Sequence, residues 1–555
     1  MTDVVRISGA PGCGKTTRLI EHVAEERDAG ADLGDIHYVT FSRSAVEETR
    51  QKVADVYDEP VDSDAVDAAG RTFHSLALSL VAADIFEQSQ DQIIQRRTDT
   101  RFYEGFANRH GLRFDADQVG PIRPGDVSAD ERPAGNRFFD VADQLRLRDL
   151  KPSQVGQVPI ELPRSPDRME RILKAWTHRK RAGRDDKGLP LYEHSDYVHE
   201  CIDQGYAPRA DVLFIDEFQD LSPLEYKLYK TWRDNGTLER IYIAGDANQS
   251  IYGSFRAARP EYFRETPVDR EETLRASWRC PAEVVATARR VLDSDPSCDH
   301  EDFVARDPGG TVETPSYESP DVLASAVARA ATDHGDVFVL ARTNYQVSKV
   351  GKALRDAGVP HQQLGAHDTI WNKTLGRILV ALRALRDGRS MSANTVQALL
   401  QKTPGRRQSL LGTGETSPEL YRVDRLDAAA VRPAFDDVAT PEDIIGMLDL
   451  PEWRQTALKA AYGHTNDLRP SDVRIGTIHS AKGLETPCVF LFEDSTPKVM
   501  EAYHDGKTAE EHRLYYVGVT RASEELRIVR DFFDTETFPV FERFEQPVNP
   551  LEVVV

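Results

Sequence analysis

The chain has 555 residues, 40% of them hydrophobic, and a formal net charge of −22 at pH 7. This length predicts about three to five domains of roughly 100–200 residues, and no run approaches the roughly 20 apolar residues that span a bilayer. Its five cysteines, Cys13, Cys201, Cys280, Cys298 and Cys488, are odd in number, widely spaced and without a CxxC pair, which argues against a disulfide framework or a structural zinc site.

Residues 1–6 lack the basic, apolar and small-residue order of a secretory leader, so a soluble cytoplasmic protein is expected. Alone, the acidity argues against a nucleic-acid binder, but net charge describes solubility rather than any one cleft. Together with the excess of Arg over Lys it points to adaptation to high salt.

The opening segment reads strand, turn, helix. Val4, Val5 and Ile7 form a short apolar run, residues 9–14 a glycine-rich turn, and Leu19, Ile20, Val23 and Ala24 recur at helical spacing. Residues 36–42, 210–218 and 240–246 read as further buried strands, with a helix predicted after the first of them. Residues 74–210 are mostly helical, with Pro and Gly around 120–135 and 183–190. The acidic stretch 294–302 reads as a connector. A second strand–helix pattern starts at 336–343 and resumes at 474–492 and 525–533, interrupted by helical sequence over about 365–470. Strands alternating with helices predict an α/β fold with parallel sheets and helices on both faces.

Residues 9–16, GAPGCGKT, satisfy G-x4-G-K-[ST] between a strand and a helix. The loop Gly9, Ala10, Pro11, Gly12, Cys13 and Gly14 is suited to turn backbone N–H groups onto phosphates; Lys15 should reach the β- and γ-phosphates and Thr16 should ligate Mg²⁺. Asp216 and Glu217 end a buried strand, the place for one acid that holds Mg²⁺ and one that polarises water. Together these motifs point to phosphoryl transfer from ATP.

FIDEFQDLSPLEYKL, IAGDANQSIYGSFRAA, IGTIHSAKGLE and EEHRLYYVGVTRA resemble motifs II, III, V and VI of the UvrD/Rep/PcrA helicases of superfamily 1. YVTFSRSAVEETR resembles motif Ia, RTFHSLAL the motif after it, and LRASWRCPAEV motif IV. The order is that of the family, and the matches run from residue 5 to about 530.

The resemblance implies two RecA-like domains, each interrupted by a mainly helical insertion: 1A at 1–75 and 209–277, 1B at 76–208, 2A at 278–364 and 471–555, and a shortened 2B at 365–470. It implies that Gln249 senses the γ-phosphate, that Arg279 and Arg521 are arginine fingers, that Glu485 beside Gly483 contacts the ribose, and that Trp278 stacks on adenine. It implies single-stranded and tailed duplex DNA as partner, with bases on Phe41, Tyr252 and Phe255 and the backbone held by Thr72, His74, Arg256, Thr477 and His479. Repair, replication or defence proteins are further partners it would allow.

The match is weakest at the adenine pocket. No glutamine segment precedes the loop, and Thr17 stands where many relatives have a base-packing arginine, with Arg18 one place later. Motif III carries one extra residue between Tyr252 and the next aromatic, and no nuclease pattern follows motif VI. The leading expectation is a 3′-to-5′ DNA helicase. Two others are a DNA-stimulated ATPase that strips proteins from DNA, to which the short 2B gives weight, and a scaffold with a decayed site, against which the intact motifs argue.

Overall fold

The computed structural model describes residues 2–541 except 42, 86–91, 120–131, 184–187, 301, 366–370, 405–423, 465–466, 507 and 534. The end of the strand expected at 36–42, most of the Pro- and Gly-rich stretches, part of 365–470 and residues 542–555 therefore lie outside the described residues.

Six strands form the first sheet: β1 (Asp3–Gly9), β2 (Ile36–Thr40), β3 (Gly70–Thr72), β4 (Val212–Ile215), β5 (Arg240–Gly245) and β6 (Arg270–Leu274), in the order β3-β2-β4-β5-β1-β6. Every pairing is parallel. The central strands β2, β4, β5 and β1 are short apolar runs because both faces are covered, and alternate side chains enter different cores. Val4, Val39, Leu213, Ile215, Ile241 and Ile243 pack on one side. Val5, Ile7, Tyr38, Phe214, Tyr242 and Ala244 pack on the other, against helix Lys15–Asp28.

Two short strands, β7 (Ala276–Ser277) and β8 (Val304–Ala305), pair with each other and lead into a second sheet. It contains β9 (Thr311–Glu313), β10 (Val337–Ala341), β11 (Gln362–Gln363), β14 (Val473–Thr477), β15 (Thr486–Phe492) and β16 (Ala522–Val529), in the order β11-β14-β10-β15-β16-β9, again all parallel. A short antiparallel pair, β12 (Met391–Ser392) and β13 (Arg425–Leu426), belongs to the second helical segment.

The chain between β3 and β4 is helical. Its helices Thr100–Arg109, Ala134–Leu147 and Pro166–Arg181 close a separate core of Tyr103, Phe139, Leu145 and Trp176. The segment between β11 and β14 does the same with helices Lys373–Asp387, Ala393–Gln401 and Glu452–Gly463 around Trp371, Leu382, Leu399 and Leu458. Among the described residues no helix is long and apolar enough to cross a membrane.

The expected strands recur with shorter bounds. The strand expected over 210–218 stops at Ile215, because Glu217 adopts the left-handed conformation (φ 56°) and Phe218–Asp220 turn as a 3-10 helix. That break carries the two acids off the end of the sheet.

Candidate active site and nucleic-acid interface

β1 delivers the glycine-rich loop. Gly14 sits left-handed at the start of helix Lys15–Asp28 (φ 86°), a conformation that costs a residue with Cβ but not glycine. Gly12 (φ 75°) has a second reason to be glycine, since a Cβ there would lie 2.4 Å from the Arg279 Cβ. The loop is pressed against β7 and the residues after it. Ser277 Oγ donates to the Pro11 carbonyl at 2.8 Å, and the Trp278 N–H donates to Gly12 O at 2.9 Å. Ala10 and Cys13 are buried in the same core as Phe338 and Leu340 of the second sheet.

Lys15 is buried, and its ammonium donates to the carbonyls of Gly9 (2.6 Å) and Ala10 (3.2 Å). Thr16 Oγ1 donates to Asp216 Oδ2 at 2.8 Å. Burial, reinforced by Glu217, pushes the Asp216 carboxyl up to about 6. Burial acts on Glu217 in the same direction, but Lys482 and Lys15 together hold it below the usual carboxylate range. One acid is thus poised to exchange a proton for a cation, and its neighbour remains an anion. A hydroxyl beside a carboxylate is a hard-oxygen pair suited to Mg²⁺, so the residues present fit that ion.

β5 ends at Gly245, and the following turn places Gln249 in the interior, its Nε2 donating to Asp246 Oδ2 at 2.7 Å. The opposite wall comes from the second sheet. Arg279 pairs with Glu485, whose side chain is 58% exposed. Arg521 is fully buried. Its guanidinium donates to Val517 O (2.8 Å), Leu484 O (3.0 Å) and Thr520 Oγ1 (3.1 Å), with no carboxylate in ion-pair range among the described residues. Burial, with Arg279 nearby, brings it down to about 10, so it is still charged at neutral pH while Glu217 lies within electrostatic range. A buried guanidinium satisfied only by neutral acceptors favours an incoming anion.

Trp278 is not a core residue: it is 67% exposed, and the Arg306 guanidinium lies over its ring, 3.3 Å from the centroid. Thr17 is exposed, and Arg18 is tied to Glu272 (2.7 Å), Glu25 (2.9 Å) and Glu21 (3.0 Å). Gly483 takes φ 82° in the turn before β15.

Several residues expected to meet DNA form one chain of contacts across the tops of both sheets. Arg256 lies over the Phe41 ring at 5.3 Å and pairs with Glu225 at 3.0 Å, and Glu225 stands 3.9 Å from His74. Burial and Arg256 leave His74 down at about 4, against the pull of Glu225. Tyr252 lies 6.1 Å from Phe255 and 6.3 Å from His479. Phe41 is only partly buried, resting on Phe73. Thr72 and Thr477 also act locally: their hydroxyls accept the N–H groups of Ser75 and Ser480, at the start of helix Phe73–Ile85 after β3 and of the 3-10 turn Ile478–Ala481 after β14.

Sequence reasoning passed over Lys482. Its ammonium crosses from the second unit to the first, donating to the Gln249 carbonyl (2.6 Å) and Asp220 Oδ2, 3.8 Å from Glu217 Oε2 and 4.9 Å from the Tyr252 ring centroid. The basic residue before Gly483 was visible, but its partners lie more than 200 residues away. Arg513 to Ser250 O (2.9 Å) and Ser254 Oγ to Glu510 (2.7 Å) are further cross-unit contacts of this kind.

Residues 1–269 match the UvrD/REP helicase N-terminal domain family, and residues 439–530 match the UvrD-like helicase C-terminal domain family. The chain is 28% identical over 358 residues to "ATP-dependent DNA helicase UvrD2" of Mycobacterium tuberculosis, covering 59% of this chain and 48% of that protein. It is 23% identical over 612 residues to "DNA helicase II" of Haemophilus influenzae, covering 94% and 81%. It is 21% identical over 633 residues to "ATP-dependent DNA helicase PcrA" of Leuconostoc citreum, covering 95% and 80%. The chain thus spans about half the length of the first of these relatives.

Proposed function

Because the chain belongs to the UvrD/REP helicase family, we propose that it is an ATP-hydrolysing translocase on single-stranded DNA and a 3′-to-5′ helicase acting in the cytoplasm, in repair or replication. The observation that carries this reading is the charge arrangement across one cleft. Lys15, Thr16, Asp216 and Glu217 stand on one side, and Arg279 and the fully buried Arg521 on the other. In this reading the units are 1A (1–75 and 209–277), 1B (76–208), 2A (278–364 and 471–555) and a short 2B (365–470). Their partners are single-stranded DNA and tailed duplexes.

ATP would enter with its phosphates over the loop. Lys15 leaves the Gly9 and Ala10 carbonyls for the β- and γ-phosphates, while the loop N–H groups orient the chain of phosphates. Mg²⁺, held by Thr16 and Asp216, would supply positive charge to the β- and γ-oxygens. Glu217 orients the attacking water. Arg279 and Arg521 neutralise charge on the transferred group, a contribution typically worth ~10³–10⁵ in rate. Gln249 and Lys482 join this cleft to Tyr252 and Asp220, so closure and reopening alter the aromatic surface where bases would stack. The exposed Trp278 supports a base-stacking role, with Arg306 moving off its ring.

A second reading is a DNA-stimulated ATPase that remodels protein–DNA complexes. It is supported by the shortness of the 365–470 segment for a 2B unit. The test is ATP hydrolysis with and without single-stranded DNA, run beside displacement of 3′- and 5′-tailed duplexes. The proposal expects stimulated hydrolysis and displacement from 3′ tails. Stimulation without displacement selects the second reading, and no hydrolysis in any condition leaves only a scaffold.

A further inference from the structure

On the face of the second sheet that packs under helix Pro320–His334, three potential ligands from three elements converge. His334 closes that helix, Cys488 lies near the start of β15, and Glu525 lies on β16. One ligand atom from each falls within 4.8 Å of the others. A register shift in the β15–β16 pairing, between Thr486 opposite Ala522 and Cys488 opposite Glu525, sets Glu525 rather than Glu524 opposite the cysteine.

The groups around these three are arranged as a second shell. His334 Nδ1 is 3.1 Å from Glu524 Oε2, while Nε2 faces Glu525 Oε2 at 2.8 Å. A carboxylate on one imidazole nitrogen fixes the tautomer and frees the other nitrogen to ligate. Arg527 Nε donates to Glu525 Oε1 at 2.6 Å, which orients the carboxylate and leaves Oε2 turned inward. Burial and Glu525 push the Cys488 thiol up to about 12, so without a cation the sulfur is a neutral, inert thiol. The helix C-terminus at His334 adds a favourable potential for positive charge. Arg527 also forms part of the wall of an adjoining cavity of about 430 Å³, bounded by Tyr317, Asp321, Ser325 and Arg329.

We propose that His334 Nε2, Cys488 Sγ and Glu525 Oε2 bind one divalent transition-metal ion of the zinc class, with water in the fourth position. Mixed nitrogen, sulfur and oxygen ligation at bond lengths of roughly 2.0–2.3 Å is the chemistry of that ion rather than of Mg²⁺. Binding displaces the thiol proton to solvent, and the sulfur ligates as the thiolate. The site is close in sequence to the active cleft: Cys488 follows Glu485 by three residues and Glu525 follows Arg521 by four. A bound ion therefore ties together the starts of the two strands that carry those residues.

Metal-stripped full-length protein in saturating Mg²⁺ is titrated with Co²⁺ and followed by absorption. One equivalent with a thiolate-to-cobalt charge-transfer band is expected, unchanged in Cys13→Ser and lost in Cys488→Ser. The exposed Glu524→Gln, which keeps all three ligands, should weaken binding about 10–100-fold. Zn²⁺ should raise the thermal midpoint of the parent but not of Glu525→Gln. Absence of the band, or its survival in Cys488→Ser, overturns the site and reduces the cluster to a His–Glu ion pair beside a core thiol. The readout involves neither ATP nor DNA, so its failure is separate from failure of the helicase reading.

Discussion

The two sheets have the same number of strands, all parallel, yet they present opposite ends to the cleft between them. The first offers the C-terminal ends of β1, β4 and β5, where Lys15, Thr16, Asp216, Glu217 and Gln249 follow their strands. The second offers the N-terminal starts of β15 and β16, where Glu485 and Arg521 precede theirs. One architecture therefore makes two unlike surfaces. One carries the glycine-rich loop with acids; the other carries guanidinium groups, one of them buried with no carboxylate in ion-pair range among the described residues. The difference teaches that the chemistry resides in the loops at one chosen end of each sheet rather than in the fold itself.

Breaking the second surface gives the largest effect. Arg521→Ala should leave nucleotide binding near parental, because Lys15 and the loop are untouched, and lower the hydrolysis rate by ~10³–10⁵. Single-turnover hydrolysis with a parallel binding titration checks this; an unchanged rate would remove Arg521 from the cleft. Breaking the first surface at Glu217→Gln should lower the rate by roughly 10²–10⁴ while ATP stays bound, read in the same two assays.

The aromatic row between the units comes next. Tyr252→Ala should weaken single-strand binding by ~1–3 kcal/mol, about 5- to 150-fold, at every base composition. Fluorescence anisotropy on poly-dT and mixed strands, repeated from low to high KCl, measures this. The parent should show a shallow salt slope, as stacking rather than counterion release holds the strand. That outcome is also what adaptation to high salt requires, and a steep slope would count against both.

The smallest effect concerns the paired acids. With Asp216 raised to about 6, protons compete with Mg²⁺ only below that pH. Mg²⁺ affinity should be flat at pH 7 and above and fall about tenfold per pH unit as pH drops through and below about 6. Glu217, held low by Lys482 and Lys15, should contribute no step there. Calorimetric Mg²⁺ titration with a non-hydrolysable nucleotide from pH 5 to 8 checks the sign; affinity that rises on acidification contradicts the assignment.

Much of this was legible locally. The loop at 9–16 announces itself because strand, glycine turn, lysine and helix are contiguous. The acids at 216 and 217 are visible because they end an apolar run. What was not legible depended on distance along the chain. Nothing near Lys482 indicates that it would meet Asp220 and the Gln249 carbonyl. The sequence of Trp278 does not reveal that its ring is exposed under Arg306. Thr72 and Thr477 were expected to hold DNA backbone; the sequence did not show that their hydroxyls also accept the N–H groups of Ser75 and Ser480 three residues on.

By itself the amino-acid sequence determined the period of its strands and helices, the glycine-rich loop, the acid pair and the order of the motifs that resemble the helicase family, because each is a property of residues a few places apart. Tertiary structure alone decided which strand ends face each other, that Gly12 must be bare to let Arg279 approach, and that Arg521 is buried with no carboxylate in ion-pair range among the described residues. It also decided that ligand atoms of His334, Cys488 and Glu525 lie within 4.8 Å of one another, which the cysteine spacing does not show. Those outcomes are set by packing and by strand register between segments up to several hundred residues apart, and burial then sets the charge state of each group.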